Sequence, residues 1–228
     1  MVLGIARTTL ALVALNLQAQ RVFEKDGKAF YQNAQGRQTG LGVGFSPVLT
    51  ADGKIALIRG RHVSEDEAVD CRDPAKRNSV VLVDPKIGRQ KTIFDRGLPV
   101  CNFHQMQLSS DKNTLYLVVP TNPASLTLAI INLASGSVKY VPGVEAVYVI
   151  ETGPHRDELI YIRREIRTSP KRRLPFPAYP LIHARANGEQ IAEISTESFT
   201  LEGGNLPILA AYLRKLEGTI TVNGRKFP

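Results

Sequence analysis

One pattern comes round three times in this chain of 228 residues, and it constrains the fold more than any other feature. The stretches Ser46 to Asp95, His104 to Gly143 and Glu145 to Ser195 each read as two hairpins. The first hairpin turns at Ala51-Asp52-Gly53, at Ser110-Asp111-Lys112-Asn113 and at Pro154-His155-Arg156-Asp157. The second turns at Asp84 to Gly88, Asn132 to Gly136 and Arg185 to Gly188. Asp, Asn, Gly and Pro supply the backbone geometry of tight connections. Between the turns lie runs of Val, Ile, Leu and Tyr, such as Val80 to Val83, Leu115 to Val119 and Leu159 to Ile162. Runs of that length and composition fit strands buried on one or both faces. A four-stranded unit repeating at this spacing cannot bury its own faces, so successive copies must stack.

The flanks supply further strands. Lys28 to Gln32 and Arg37 to Leu41, joined by Asn33 to Gly36, read as a hairpin, and Gly218 to Val222 as one more strand. Terminal strands sharing one sheet would close the array and remove its edges. The alternative is an open array that pairs with a second copy as a homodimer. One amphipathic helix is expected near the C-terminus. Asn205 can cap it and Pro207 is tolerated in its first turn. Leu206, Leu209, Ala210, Leu213 and Leu216 then share one face before Gly218.

The repeat itself has a recognisable phrase: Ser-Pro, a strand, Asp-Gly-Lys, two apolar strands, Asp, and a turn ending in Gly. Ser46, Pro47, Asp52, Gly53, Lys54, Asp84 and Gly88 carry it in the first unit, and Ser109, Asp111, Asn132 and Gly136 echo it in the second. This resembles the repeat of TolB-type and WD-repeat-like β-propellers, although with no Trp the full tryptophan-aspartate signature is absent. The resemblance implies an all-β, propeller-like array of four-stranded antiparallel units. The chain is too short for the six blades of the TolB propeller and allows about four. It also implies a periplasmic or secreted module that serves by binding. A likeness at the level of the repeat speaks to fold far more than to function.

Compartment can be read from the N-terminus. Arg7 is followed by an apolar run from Leu10 to Leu17 and small-residue chemistry ending at Ala19. That order matches a secretory signal peptide over 1–19, leaving 20–228 as a single domain, and the run is too short to span a bilayer. No later segment is apolar for long enough to do so. An exported chain with two cysteines, Cys71 and Cys101, permits one disulfide.

Net charge is +8, with a hydrophobic fraction of 43%. Much of the excess sits in one insertion. Arg163, Arg164, Arg167, Lys171, Arg172 and Arg173 face only Glu165 in that segment. Phe176 and Tyr179 follow among Pro170, Pro175, Pro177 and Pro180, which favour an extended loop. A second insertion, Ser64 to Lys76, falls at the same point of the first unit, between its second and third strands. Both therefore emerge on one face. The six cations as anion anchors, with Phe176 and Tyr179 as apolar contacts, form the candidate binding surface for a protein or an anionic envelope component. Nucleic acid is disfavoured by the signal pattern.

The known catalytic phrases are missing. There is no GxSxG elbow, no GxxxxGK[ST] phosphate loop and no HExxH. No cofactor and no metal ligand set is expected. The alternative is a hydrolytic or sugar-active enzyme in which some of His62, His104, His155 and His183 meet a carboxylate at the central channel. Two of these within a few ångström of each other and of a carboxylate, in a pocket, would favour it. Mass spectrometry of the protein from its native host, with and without reductant, tests the compartment. The expected species begins at Gln20 and gains two hydrogens on reduction. A retained leader with unchanged mass would place the chain elsewhere.

Overall fold

The computed structural model describes residues 19–60, 77–95, 103, 105–122, 125–169, 172–195, 206–216, 220–222 and 225–227. Residues 1–18 of the leader, Cys71, Cys101, the insertion Ser64 to Lys76, His62 and His104 lie outside these residues. All three repeat units are four-stranded antiparallel sheets; in the first two each strand pairs with the next in sequence, and in the third a separate two-stranded ribbon intervenes between the second and third strands. The first unit holds β4 (Phe45–Leu49), β5 (Ile55–Arg59), β6 (Ser79–Val83) and β7 (Gln90–Phe94). In the second are β8 (Gln105–Leu108), β9 (Thr114–Asn122), β10 (Ser125–Asn132) and β11 (Val138–Pro142). The third is β12 (Val144–Val149), β13 (Leu159–Arg163), β16 (Leu181–Ala184) and β17 (Gln190–Ser195).

Strand periodicity decides how the sheets stack. Successive side chains of a strand point to opposite faces, and the second strand of each unit is apolar on both. In β5, Ala56 and Ile58 pack toward the second unit against Leu115, Leu117 and Val119 of β9. Ile55 and Leu57, on the other face, pack against Ala29 and Leu41. Tyr116 and Val118 of β9 meet Leu159 and Tyr161 of β13. The far face of β13, Ile160 and Ile162, is covered by Leu209, Leu213, Ile220 and Val222. The result is a β-propeller-like array in which each sheet is a layer of two cores.

Tight turns tie the layers together along one rim. Thr50 donates its hydroxyl to Asp52 (2.6 Å), and Ser109 does the same to Asp111 (2.5 Å). Hydrogen bonds from Lys54 and Thr50 hold the Asp52 carboxyl down at about 2, and those from Ser109 and Asn113 lower that of Asp111. Neighbouring turns are then linked. The Leu133 amide donates to the Asn113 carbonyl (2.8 Å), and the Ser110 amide donates to the Asp157 carboxylate across to the third unit (2.5 Å).

The ends of the array differ from a shared closing blade. β2 (Lys28–Gln32) and β3 (Gln38–Val43) form the expected hairpin, and β1 (Arg21–Lys25) adds a third strand through a turn at Asp26 and Gly27, both at positive φ. This sheet covers the open face of the first unit. At the other end lie α1 (Leu206–Leu213) and a small hairpin of β18 (Ile220–Val222) and β19 (Arg225–Phe227). Val222 bridges Ile150, and the Glu151 amide donates to Thr221 (2.7 Å). Among the described residues the two terminal sheets are separate. The physical reason is that each exposed end face needs apolar cover, and the terminal segments supply it one at each end.

Tyr116 is fully buried, and among the described residues its hydroxyl has no hydrogen-bond partner. Burial, with Asp157 and Asp111 nearby, pushes its ionisation well above the ordinary tyrosine range. A buried unsatisfied hydroxyl costs stability, on the order of 1 kcal/mol or more. Tyr116→Phe is expected to leave urea stability unchanged or raise it by about 1 kcal/mol. A loss of that size would show that the hydroxyl is bonded.

Candidate functional site

The basic insertion is a β-ribbon rather than a loop. β14 (Glu165–Ser169) pairs antiparallel with β15 (Arg172–Ala178), placing Arg167 opposite Phe176 and Ile166 opposite Pro177. In a two-stranded ribbon every second N–H points away from the partner, so Pro175 and Pro177 are tolerated without loss of a ladder bond. That is why a proline-rich segment, read as irregular from its composition, can be a strand.

Arg163 and Arg167 are engaged in ion pairs. Arg163 pairs with Glu165, and Arg167 reaches both Glu165 (2.9 Å) and Glu193 (2.9 Å). Burial pushes the Glu165 carboxyl up, but its hydrogen bonds to Arg167 and Arg163 outweigh this and hold it below the usual range. Those pairs fix the ribbon to β17, which carries Glu193. Arg172 and Arg173 lie in β15, and Lys171 lies outside the described residues. Phe176 is half-buried and Tyr179 packs at the edge of the core under α1. Ile166 and Leu174 are 67% and 76% exposed, two large apolar side chains that sequence reasoning left out.

Between this ribbon and the tip of the β9–β10 hairpin runs a groove of about 420 Å³. Leu126, Thr127, Glu145, Arg164, Glu165 and Ile166 line it. Burial raises the Glu145 carboxyl, and Arg164 opposes that rise. Gly143 forms the floor at φ +75°, and a Cβ there would fall 2.9 Å from the Arg164 carbonyl, so no larger residue fits without backbone movement. The Arg164 amide donates to the Gly143 carbonyl (2.7 Å), which locks ribbon and groove together.

At the opposite ends of the strands the histidines tell a different story. His183 sits on β16 opposite Ile160, on the face turned toward α1, where the neighbouring positions are apolar. Its side chain is 1% exposed. The ring is within 2.7 Å of Glu158 through Nε2 and 2.8 Å of the Tyr212 hydroxyl through Nδ1. His155 approaches the same Glu158 oxygen through its Nδ1 at 2.8 Å. Burial holds the His183 imidazole below its ordinary pKa, against the opposite pull of Glu158. A neutral ring can donate from one nitrogen only. Glu158 accepts from Nε2–H, and Tyr212, whose own ionisation burial pushes up, donates to Nδ1.

Two of the four histidines and a carboxylate thus meet, which sequence spacing did not reveal. His155 and Glu158 were readable as an i, i+3 pair in one turn. The approach of His183 and Tyr212 depends on strand pairing and on where α1 docks. Neither the groove nor a smaller cleft of about 170 Å³ between the first two units is lined by these residues. The cluster lies on β16 and the β12–β13 turn, not on the first strands of the units.

No protein-family model and no curated protein matches the sequence. Solved structures do match the fold. The β-propeller domain of the Trilobed protease from Pyrococcus furiosus, described as having an open velcro topology, superposes with a TM-score of 0.50 at 15% identity. That match covers 76% of this chain and 53% of that one. TolB from Acinetobacter baumannii is similar at a TM-score of 0.47 and 14% identity, over 75% of this chain and 38% of TolB. An acylaminoacyl peptidase of Pyrococcus horikoshii follows at 0.45 and 12%, over 73% and 28%. The chain is a β-propeller module in fold, spanning about half the length of the first of these structures. Among the described residues no helix is long and apolar enough to cross a membrane.

The neutral state of His183 makes stability pH-dependent. Its folded pKa is depressed, so below about pH 6.5, the ordinary histidine value, the unfolded chain takes up a proton that the folded chain resists. Stability contributed by this group is present above that pH and is lost as pH falls through it. Tyr212→Phe should cost about 1 kcal/mol by removing one bond to a buried ring. Urea midpoints across pH 5 to 8, in both proteins, check the slope and the loss.

Proposed function

We propose that this chain is an exported, propeller-type binding module that docks an acidic segment of a protein partner along the groove beside the β14–β15 ribbon. The observation that supports this is the meeting, on one rim, of a groove, an arginine-rich ribbon and the exposed Ile166 and Leu174. Cations alone would suit any anionic polymer. Exposed large apolar side chains beside them match protein interfaces, where an apolar centre is ringed by charge. Glu165 and Glu193 hold Arg163 and Arg167 in place and Arg164 faces Glu145 in the groove, so Lys171, Arg172 and Arg173 carry the electrostatic part of the reading, with Phe176 supporting the ribbon. Export rests on the leader pattern of residues 1–19.

A catalytic alternative is favoured by one observation, the convergence of His155, Glu158 and His183. It lies away from both clefts and on the opposite rim from the groove, so it does not serve the docking surface.

The test uses the partner cross-linked to the wild-type chain in its native host, then purified and titrated at two salt concentrations. Replacing Lys171, Arg172 and Arg173 by Ser should weaken binding about tenfold and flatten its salt dependence. Ile166→Ser with Leu174→Ser should weaken binding while leaving the salt slope unchanged. Unaltered affinity in both variants overturns the assignment. Loss in the basic variant alone, with the apolar variant binding normally, overturns the protein partner in favour of an anionic polymer.

A further inference from the structure

We propose that His155, Glu158 and His183 form a binding site for a divalent transition-metal ion of the zinc class, seated under α1 at the rim opposite the groove. The His155 Nδ1, one Glu158 oxygen and the His183 Nε2 all lie within 4.8 Å of one another. A tetrahedral zinc ion with ligands at about 2.0–2.1 Å needs its donors about 3.4 Å apart. The closest approaches here, 2.7 Å and 2.8 Å, are hydrogen bonds through shared protons. An opening of roughly 0.6–0.7 Å around Glu158 admits the ion in place of those protons.

Several features of the surroundings fit a ligand set better than a simple buried contact. Two imidazoles and one carboxylate make a donor set typical of zinc and its neighbours, and unsuited to calcium or magnesium, which want oxygen alone. Metal-bound histidines generally have their second nitrogen fixed by another group. His183 has this in the Tyr212 hydroxyl, itself carried by the segment that includes α1. Burial keeps His183 neutral, so its lone pair is not lost to a competing proton near neutrality. On metal binding the His183 proton moves from Nε2 to Nδ1, and Tyr212 changes from donor to acceptor, so that ring releases no proton.

Exposure decides what kind of site this is. His183 is enclosed, while the side chains of His155 and Glu158 are 30% and 27% exposed. Three protein ligands with one side toward solvent leave a fourth position for water or for a group brought by another molecule. The ion would also tie the β12–β13 turn to β16 and, through Tyr212, to α1. That places a clamp where the last sheet is covered by the C-terminal segment.

The experiment takes the full mature chain, stripped with chelator, and titrates it with Zn²⁺ by calorimetry. Thermal unfolding with and without Zn²⁺ is the second readout. Wild type should bind one equivalent that raises the unfolding temperature. His155→Ala and Glu158→Gln, both at the partly exposed side of the cluster, should fold normally and lose that equivalent or bind it at least tenfold more weakly. Tyr212→Phe should weaken it less. Equal Zn²⁺ affinity and equal thermal shift in wild type, His155→Ala and Glu158→Gln would overturn the proposal, as would no binding by wild type at millimolar Zn²⁺.

Discussion

Everything in this structure depends on strands that are apolar on both faces. An ordinary antiparallel sheet turns one face to water and alternates polar with apolar residues. Here Ile55 to Ile58, Leu115 to Val119 and Leu159 to Ile162 are buried along their length. A sheet built on such a strand has two faces to cover. The units therefore stack in sequence order, and the stack continues until something other than a repeat ends it.

The two endings are solved with different means. At the first unit a three-stranded sheet offers Ala29 and Leu41 to Ile55 and Leu57. At the third, a short helix and a small hairpin offer Leu209, Leu213, Ile220 and Val222. The second solution admits polar groups that a repeat interface does not. His183 occupies a position beside apolar neighbours, and Glu158 and Tyr212 satisfy both its nitrogens. A buried imidazole left without partners would cost on the order of 1–3 kcal/mol, so the helix and the turn are coupled through it.

The two ends of the strands differ in chemistry. The turns between first and second strands are short, polar and linked to each other, and they hold the layers in register. The connections between second and third strands are free to grow, and in the third unit the connection grows into the β14–β15 ribbon. Ion pairs to Glu165 and Glu193 anchor this ribbon, leaving Ile166 and Leu174 outward. The cluster of His155, Glu158 and His183 sits at the opposite ends of the strands, so the module has two chemically distinct ends.

Local rules made much of this legible from the residues. The three units, the Asp and Asn turns, the hairpin after Lys28 and the apolar face of α1 all follow from periodicity and turn chemistry within a few residues. The β1 strand was not among the expected elements, although Asp26-Gly27 is a dipeptide that favours the hairpin turn found there. Pairing across long separations was not legible. Pro175 and Pro177 argue against a strand until the partner strand, and with it the direction of each N–H, is known. His155 and Glu158 share a turn, but His183 reaches them only through the β13–β16 register, and Tyr212 only because an uncovered sheet face draws α1 onto it. The chain's own pattern determined which faces must be buried. Only the tertiary structure decided what buries them, because burial is a demand any apolar surface can meet, whereas a hydrogen-bonded cluster needs particular atoms within three ångström of one another.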